Sequence, residues 1–237
     1  MKLIFQLLLL LLLLFGCKEK GQDKSKEIPI EVNEQTVDTV KAAEVKIPLP
    51  SLDELADTTF IRLADYSSDF SFDMRYATTN NFLKTKVYDC PECYTRNKTA
   101  QALIAANAEL MKKGFRIRFF DCYRPNSVQY KMWEIYPNPQ YVANPDKGSI
   151  HNRGGAVDIT LETLDGKVLD MGTDFDFFGR EAHHDYLNLP EVVLRNRAFL
   201  KEVMEAHGFW AVRTEWWHYN LGKATRDPVA NFNWPCP

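Results

Sequence analysis

The sequence predicts an α+β fold in which helices flank a central, mainly antiparallel sheet. Some stretches alternate apolar and polar side chains with the two-residue period of strands, and others repeat apolar side chains at helical spacing. The two kinds do not follow each other as regular strand–helix–strand units, which disfavours a parallel sheet. The 237 residues are enough for one domain with a sizeable core. Because the net charge is −3, we expect no nucleic-acid partner.

The N-terminus predicts export. Lys2 precedes an apolar run over residues 3–15, which is too short for a stable transmembrane helix and fits the apolar region of a signal peptide. The run ends at Gly16-Cys17, which resembles the end of a bacterial lipoprotein signal, where the cysteine becomes the lipidated first residue. We therefore expect a signal peptide over residues 1–16 and a lipid on Cys17. The lipid would anchor the exported protein to a bacterial membrane, facing the periplasm or the cell exterior. An ordinary secretory signal is the alternative.

The folded domain is predicted to span residues 51–237. Residues 17–50 begin with the lipidated cysteine and continue with charged and polar residues, scattered prolines and no sustained period. Such a composition predicts a disordered, solvated tether between the anchor and the domain. Ser51 is suited to cap a short helix where the domain begins.

Periodicity predicts the elements of the domain in order. Extended segments are expected at residues 60–76, 115–119, 156–161 and 209–219. Helices are expected at residues 95–113, 126–136 and 191–207, with Gly114 and Gly208 placed to end the first and the last. Residues 162–190 contain glycines and a proline without a period, and so long a connection in a compact domain is usually functional.

The cysteines predict disulfides. An exported domain with an even number of cysteines favours pairing, although the sequence leaves open which partners join; the residues are Cys90, Cys93, Cys122 and Cys236. The Cys90-x-x-Cys93 spacing also occurs in redox motifs and in halves of zinc knuckles. No second such motif exists, and no strand-then-helix pattern surrounds this one. A structural disulfide is therefore the favoured interpretation.

Two short stretches together contain the residue types of a catalytic zinc site. The first holds His151 and Asp158, and the second holds Glu215 and His218. Two imidazoles and a carboxylate make three protein ligands, which leaves an open position for water, and Glu215 supplies a base. Each residue alone has many structural roles, but the combination favours one Zn²⁺ per chain. Two histidines and one carboxylate also suit non-haem iron, whose sites do not need Glu215.

The spacing of these residues predicts two local irregularities. His151 and Asp158 are seven residues apart, and an odd separation on one straight strand places side chains on opposite faces. We therefore expect His151 in a loop, a bend at the Gly-Gly pair 154–155, and Asp158 on the following strand. Glu215 and His218 are three apart, so a bulge or a single helical turn must precede His218.

The pattern Ser149-x-His151-x6-Asp158 with Glu215-x-x-His218 resembles the signature of the zinc D-Ala-D-Ala peptidases related to the hedgehog signalling domain. Further motifs make the chain similar to the D-Ala-D-Ala dipeptidases of the vancomycin-resistance type. They are Arg75-Tyr76-Ala77-Thr78 with Asn81-Phe82, Asp121-x-Tyr123-Arg124-Pro125, Met171-Gly172 followed by Phe175-Asp176-Phe177, His183-His184, and Glu215-Trp216-Trp217-His218-Tyr219. The resemblance covers residues 55–235.

The resemblance implies a hedgehog/DD-peptidase-like fold and a zinc enzyme that hydrolyses free D-Ala-D-Ala, or related small D,D-peptides, with a metal-activated water. It also implies residue roles: His151, Asp158 and His218 as zinc ligands, Glu215 as general base, Arg124 as the group that stabilises the oxyanion, and Tyr76, Ser149 and Asp176 as substrate contacts.

Two alternatives to the dipeptidase stay open. A D,D-carboxypeptidase or endopeptidase acting on peptidoglycan peptides would use the same metal site. A carboxylate such as Asp176 favours the dipeptidase, because it would pair a free substrate ammonium and would be left unpaired by an acylated substrate. A non-catalytic zinc-binding module of the hedgehog type is the second alternative, and it would have no use for Glu215.

Overall fold

A five-stranded sheet forms the centre of the computed structural model, which describes residues 48–236. The strands in chain order are β1 (Phe60–Arg62), β2 (Ser71–Phe72), β3 (Tyr94–Arg96), β4 (Phe115–Asp121), β5 (Ala156–Thr163), β6 (Phe209–Ala211) and β7 (His218–Leu221). The central sheet has the order β2-β4-β5-β7-β6, and β1 pairs separately with β3. Strands β2 and β4 run parallel, whereas the other neighbours in the central sheet run antiparallel. The predicted α+β fold is confirmed.

Three α-helices lie in the part of the chain that the structure describes. They are α1 (Asn97–Lys112), α2 (Asn126–Ile135) and α3 (Glu191–Ala206). Helix α1 lies against β4, α3 lies against β6, and the two helices contact each other. Gly114 and Gly208 follow α1 and α3 with φ of 85° and 86°, a left-handed conformation that ends a helix, as predicted. Among residues 48–236, none of the helices has the length and apolar character needed to cross a membrane.

The two faces of β5 point to different surroundings. Side chains alternate along a strand, so Ile159 and Leu161 share one face and Asp158 and Thr160 share the other. Ile159 and Leu161 are fully buried and belong to the apolar core that includes the inner sides of α1 and α3. Asp158 points away from these two residues, and it lines the cavity described below.

Two strand predictions are wrong in extent. Residues 60–76 hold the short strands β1 and β2, separated by irregular chain and a 3₁₀ turn at Leu63–Asp65, and end in a second such turn at Arg75–Ala77. Residues 209–219 form β6, a turn and the start of β7 rather than one strand. Since β6 and β7 pair antiparallel, the chain must reverse between them.

Two disulfides join residues 90–93 to distant parts of the chain. Cys90 pairs with Cys236 across a separation of 146 residues, and Cys93 pairs with Cys122 across 29. The prediction of structural disulfides is confirmed. Each half of the Cys90-x-x-Cys93 motif bonds a distant cysteine, so the redox and zinc-knuckle alternatives do not apply.

Candidate metal centre and active site

The sheet brings the two histidines and Asp158 together. Asp158 on β5 lies directly opposite His218, the first residue of β7, in the antiparallel ladder. His151 lies in a one-turn 3₁₀ helix, His151–Arg153, which Gly154 ends with φ of 69°. The chain then enters β5. The predicted bend between His151 and Asp158 is therefore confirmed.

Three potential ligand side chains converge at this point. His151 Nε2 lies 3.2 Å from His218 Nδ1 and 3.4 Å from an oxygen of Asp158. The other oxygen of Asp158 lies 2.9 Å from His218 Nδ1. Ligands at about 2.0–2.1 Å around a tetrahedral zinc ion would be separated by roughly 3.3 Å, so the spacing fits this ion.

Each imidazole also makes a hydrogen bond on the side away from the metal centre, and these bonds determine which ring nitrogens face that centre. The Nδ1 of His151 donates to the carbonyl of Cys122 at 2.7 Å, because a carbonyl can only accept. The Nε2 of His218 lies 3.0 Å from the amide oxygen of Asn220 and donates to it. In the neutral imidazoles the inward nitrogens then carry lone pairs. With neutral imidazoles the centre therefore faces inward with three hydrogen-bond acceptors and needs a metal ion or a proton between them.

Burial increases the need of these three groups for a positive charge, because little water reaches them. His151 and Asp158 are only 3% and 4% exposed. Burial alone would raise the pKa of Asp158, but the two neighbouring imidazoles hold that pKa well below its usual range. Burial opposes a charge on His218, yet the hydrogen bond to Asp158 raises the pKa of His218 to about 9. The site thus favours positive charge beside an ionised carboxylate.

Glu215 stands beside the ligands in the turn that precedes β7. The N–H of His218 donates to the carbonyl of Glu215 at 3.3 Å and closes a turn, at the place where their spacing predicted a bulge or a single helical turn. A carboxylate oxygen of Glu215 lies 3.6 Å from His218 Nδ1. Burial raises the pKa of Glu215, although 29% of its side chain stays accessible to solvent. A carboxylate with these properties is suited to accept a proton from water.

Arg124 is held rigidly in the wall of the same cavity. Its guanidinium donates two hydrogen bonds to one oxygen of Asp121, at 3.1 and 2.7 Å, and a third to Gln129 at 2.9 Å. It also lies 5.1 Å from the centre of the Tyr76 ring. The other oxygen of Asp121 accepts the hydroxyl of Tyr88 at 2.7 Å. Because every carboxylate oxygen of Asp121 is bonded, the direction of the guanidinium is fixed.

Tyr76 and Asp176 form a second polar pair. The Tyr76 hydroxyl lies 3.1 Å from both carboxylate oxygens of Asp176. Asp176 adopts φ of 60°, a conformation that L-residues rarely take and that often marks functional positions. Burial and the nearby Asp158 raise the pKa of Asp176 well above its usual range, so this carboxyl would gain from a cationic partner.

Ser149 is linked to Arg124 through Asn152. The amide oxygen of Asn152 accepts the backbone N–H of Ser149 at 2.6 Å, and its NH₂ group donates to the carbonyl of Arg124 at 2.7 Å. Asn152 is fully buried. This side chain therefore joins the loop before His151 to the segment that carries Arg124.

One cavity of about 210 Å³ collects the predicted site residues. It is lined by His151, Asp158, His218, Glu215, Arg124, Tyr76, Ser149 and Asp176, among others. Its volume is below the roughly 300–1,000 Å³ of pockets for drug-sized ligands, which suits a small substrate. The lipidation candidate Cys17 lies outside the described residues.

Sequence reasoning missed the residues that orient the site. Asn220 follows His218 by two positions on one strand, so strand parity could have placed both on the same face. Asp121 belongs to the Asp-x-Tyr-Arg-Pro motif, but nothing in the sequence shows that it pairs with Arg124. No local pattern identifies Asn152 or the carbonyl of Cys122, because both act through contacts that only the fold creates.

Comparisons with known proteins identify relatives of this chain. The peptidase M15 family model, described as D-Ala-D-Ala dipeptidase, matches residues 56–235. A D-alanyl-D-alanine dipeptidase of Escherichia coli K12 is 32% identical over 183 residues, which are 77% of this chain and 95% of that protein. One of Enterococcus faecalis is 31% identical over 183 residues, 68% of this chain and 91% of that protein.

A solved structure is also similar in part. It is the vancomycin-resistance D,D-pentapeptidase VanY in complex with Zn(II), with a TM-score of 0.38 and 15% sequence identity. The match covers 54% of this chain and 73% of that one.

Replacing Asp121 with Ala should lower the free energy of unfolding by about 3–5 kcal/mol, because Arg124 would remain buried without a partner for its charge. Arg124 is only 7% exposed, so water is a poor replacement for the carboxylate. Urea unfolding followed by circular dichroism measures the change. The control is Glu191→Ala, which breaks an exposed pair with Arg195 on α3 and should cost less than about 1 kcal/mol. Equal losses in both variants would contradict the assignment.

Proposed function

This chain belongs to the D-Ala-D-Ala dipeptidase family of M15 peptidases, and we propose that it is an exported, lipid-anchored zinc dipeptidase that hydrolyses free D-Ala-D-Ala. The observation that carries the proposal is the buried convergence of three acceptors, with Glu215 beside them in a small cavity. Imidazole and carboxylate ligands, with an open position and a neighbouring base, are the parts of a hydrolytic zinc site.

His151, Asp158 and His218 would hold the ion. Zinc bound there would supply a Lewis acid and would lower the pKa of a bound water to about 7. Asn220 and the carbonyl of Cys122 keep the two imidazoles in the tautomers that bind a metal. The chain thus provides a pre-arranged site in which both histidines are already oriented.

Glu215 carries the proton of the reaction. Its carboxylate accepts a proton as water attacks the peptide carbonyl, and it delivers that proton to the amide nitrogen of the departing D-alanine. Hydrolysis of the dipeptide then yields two molecules of D-alanine. The raised pKa of Glu215 brings this carboxylate closer to the pH at which such a transfer is efficient.

Arg124 stabilises the charge that develops on the carbonyl oxygen. Asp121 and Gln129 fix its guanidinium before substrate binds, so little reorganisation accompanies the reaction. Loss of one such donor typically costs on the order of 10²–10³ in rate.

Substrate recognition uses the charged end of the dipeptide. Asp176, steadied by Tyr76, would pair with the free ammonium, and Ser149 lines the same cavity. An acylated peptide brings no charge to Asp176 and leaves it unpaired. This discriminates the dipeptidase from a carboxypeptidase or endopeptidase acting on wall peptides.

Export supports a role outside the cytoplasm. The two disulfides fit an oxidising compartment, as does the lipoprotein-type signal at residues 1–17. An anchored enzyme outside the cytoplasm would recover D-alanine from the turnover of the cell wall. It would not meet the D-Ala-D-Ala that resistance enzymes must destroy before precursor assembly.

Glu215→Gln should still bind zinc and should lose about 10²–10⁴ in kcat on D-Ala-D-Ala, because the amide cannot accept the proton. Release of D-alanine measures the rate, and elemental analysis of the purified protein measures zinc. Glu202→Gln, on the exposed side of α3, is the matched control and should keep full activity. Retained hydrolysis in Glu215→Gln would remove this residue from the mechanism, and loss of zinc would make it a ligand.

Asp176→Asn should reduce kcat/KM for free D-Ala-D-Ala by roughly 5–150-fold, equivalent to about 1–3 kcal/mol, because the ammonium loses its charged partner. N-acetyl-D-Ala-D-Ala should be a poor substrate for the native enzyme and should change little in the variant. Asp174→Asn, whose carboxylate is 74% exposed, is the control and should behave as the native enzyme. If the native enzyme cleaves both substrates equally well, the carboxypeptidase alternative is favoured.

Cys17→Ala should release the exported protein from the membrane, because the lipid would have no attachment site. Fractionation of cells expressing the full chain, followed by partition into detergent, measures the change. The native chain should partition with the detergent phase and the variant with the aqueous phase. Identical partition of the two proteins would favour an ordinary secretory signal.

A further inference from the structure

We propose that the Cys93–Cys122 disulfide positions the metal ligand His151 by fixing the backbone carbonyl that holds its imidazole. The inference rests on the proposed metal site and gives one of the two disulfides a role in the chemistry. Cys122 acts through His151, so it is a positioning residue rather than a catalytic one.

The contact that carries the inference is the hydrogen bond from His151 Nδ1 to the carbonyl of Cys122, at 2.7 Å. This bond keeps the lone pair of the ring on Nε2, the atom that faces Asp158 and His218. A shift of the carbonyl would turn the ring or free its tautomer. Either change weakens a metal ligand.

The position of this carbonyl is not secured by the sheet. The register of β4 against β5 shifts between Phe119 and Asp121, and the last pair of the ladder joins Asp121 to Asp158. Cys122 lies one residue beyond that pair, where the chain turns out of the sheet. The backbone there needs restraints from other parts of the fold.

The disulfide supplies such a restraint at Cys122 itself. Its partner Cys93 immediately precedes β3, and the carbonyl of Cys93 accepts the N–H of Leu63 at 2.9 Å. Cys93 and Cys122 are both buried. The bond therefore ties the carbonyl that orients His151 to the small sheet of β1 and β3.

Two hydrogen bonds restrain the same backbone as the disulfide, and they limit how much metal binding should weaken when the disulfide is lost. The N–H of Tyr123 donates to the carbonyl of Tyr94 at 2.9 Å, and the N–H of Cys122 donates to Asp121 at 2.9 Å. Without the disulfide the Cys122 carbonyl would shift rather than become free. Loss of an outer partner of a metal ligand weakens metal binding by about 10–100-fold, and we expect the lower end of this range.

The second disulfide offers a matched control. Cys90–Cys236 closes a loop of 146 residues, whereas Cys93–Cys122 closes one of 29. Loss of Cys90–Cys236 therefore frees the unfolded chain more than loss of Cys93–Cys122, and it should lower the melting temperature at least as much. The hydrogen-bond partners of His151 and His218 are Cys122 and Asn220, and neither residue belongs to the Cys90–Cys236 bond. The control therefore separates loss of stability from loss of ligand orientation.

The experiment compares native protein, Cys93→Ala/Cys122→Ala and Cys90→Ala/Cys236→Ala. Zinc dissociation constants are measured by competition with a chromophoric chelator, and melting temperatures are measured on the same samples. We expect zinc binding to weaken by about tenfold in the first variant and by less than about twofold in the second. Excess zinc should restore most of the kcat of the first variant on D-Ala-D-Ala, with KM little changed.

A spectroscopic readout addresses the carbonyl directly. In zinc-loaded native protein, the His151 ring N–H should exchange slowly with solvent, because Cys122 accepts it. The exchange should accelerate in Cys93→Ala/Cys122→Ala and stay slow in the control variant. If the double variant does not fold, the single variant Cys93→Ala, which breaks the bond but keeps the Cys122 side chain, replaces it in all measurements.

Zinc binding that is unchanged in Cys93→Ala/Cys122→Ala, or that weakens in both variants in proportion to melting temperature, would overturn the inference. Native protein that binds no zinc would instead refute the proposed function, so the two failures are distinguishable.

Discussion

The site depends on one electrostatic constraint, the buried convergence of two imidazoles and a carboxylate. His151, His218 and Asp158 lie 2.9–3.4 Å apart and direct lone pairs at one another. Buried acceptors without partners are costly, so neutral imidazoles in this arrangement need a metal ion or a proton between them. The ladder pairing of Asp158 with His218 prevents the groups from separating when the cation is absent.

The end of β4 orients most of the remaining chemistry. Asp121 holds the guanidinium of Arg124, and the carbonyl of Cys122 holds the ring of His151. Asn152 then joins Arg124 to the loop of Ser149. A short segment where one strand leaves the sheet therefore couples Arg124, the proposed oxyanion group, to His151, a proposed metal ligand, so a displacement there would affect both.

Local structure could be predicted from the sequence where the spacing of two residues determines the backbone between them. The odd separation of His151 from Asp158 and of Glu215 from His218 required a bend and a turn, and both occur. The hairpin of β6 and β7 was missed, because a reversal between two apolar segments leaves no periodic signal when it lacks glycine or proline. Disulfide partners and the bonds of Asp121 are set by long-range contacts, which single-sequence patterns do not encode.

Charge balance links the metal to substrate choice. The cavity contains the carboxylates of Asp158, Asp176 and Glu215, while the guanidinium of Arg124 is already paired with Asp121. A divalent ion would offset Asp158 and lower the cost of ionising Glu215, but Asp176 would still need a partner. A free dipeptide brings an ammonium and an acylated peptide does not. The shortage of positive charge in the cavity would therefore favour binding of a metal ion and, in addition, binding of the free dipeptide over an acylated peptide.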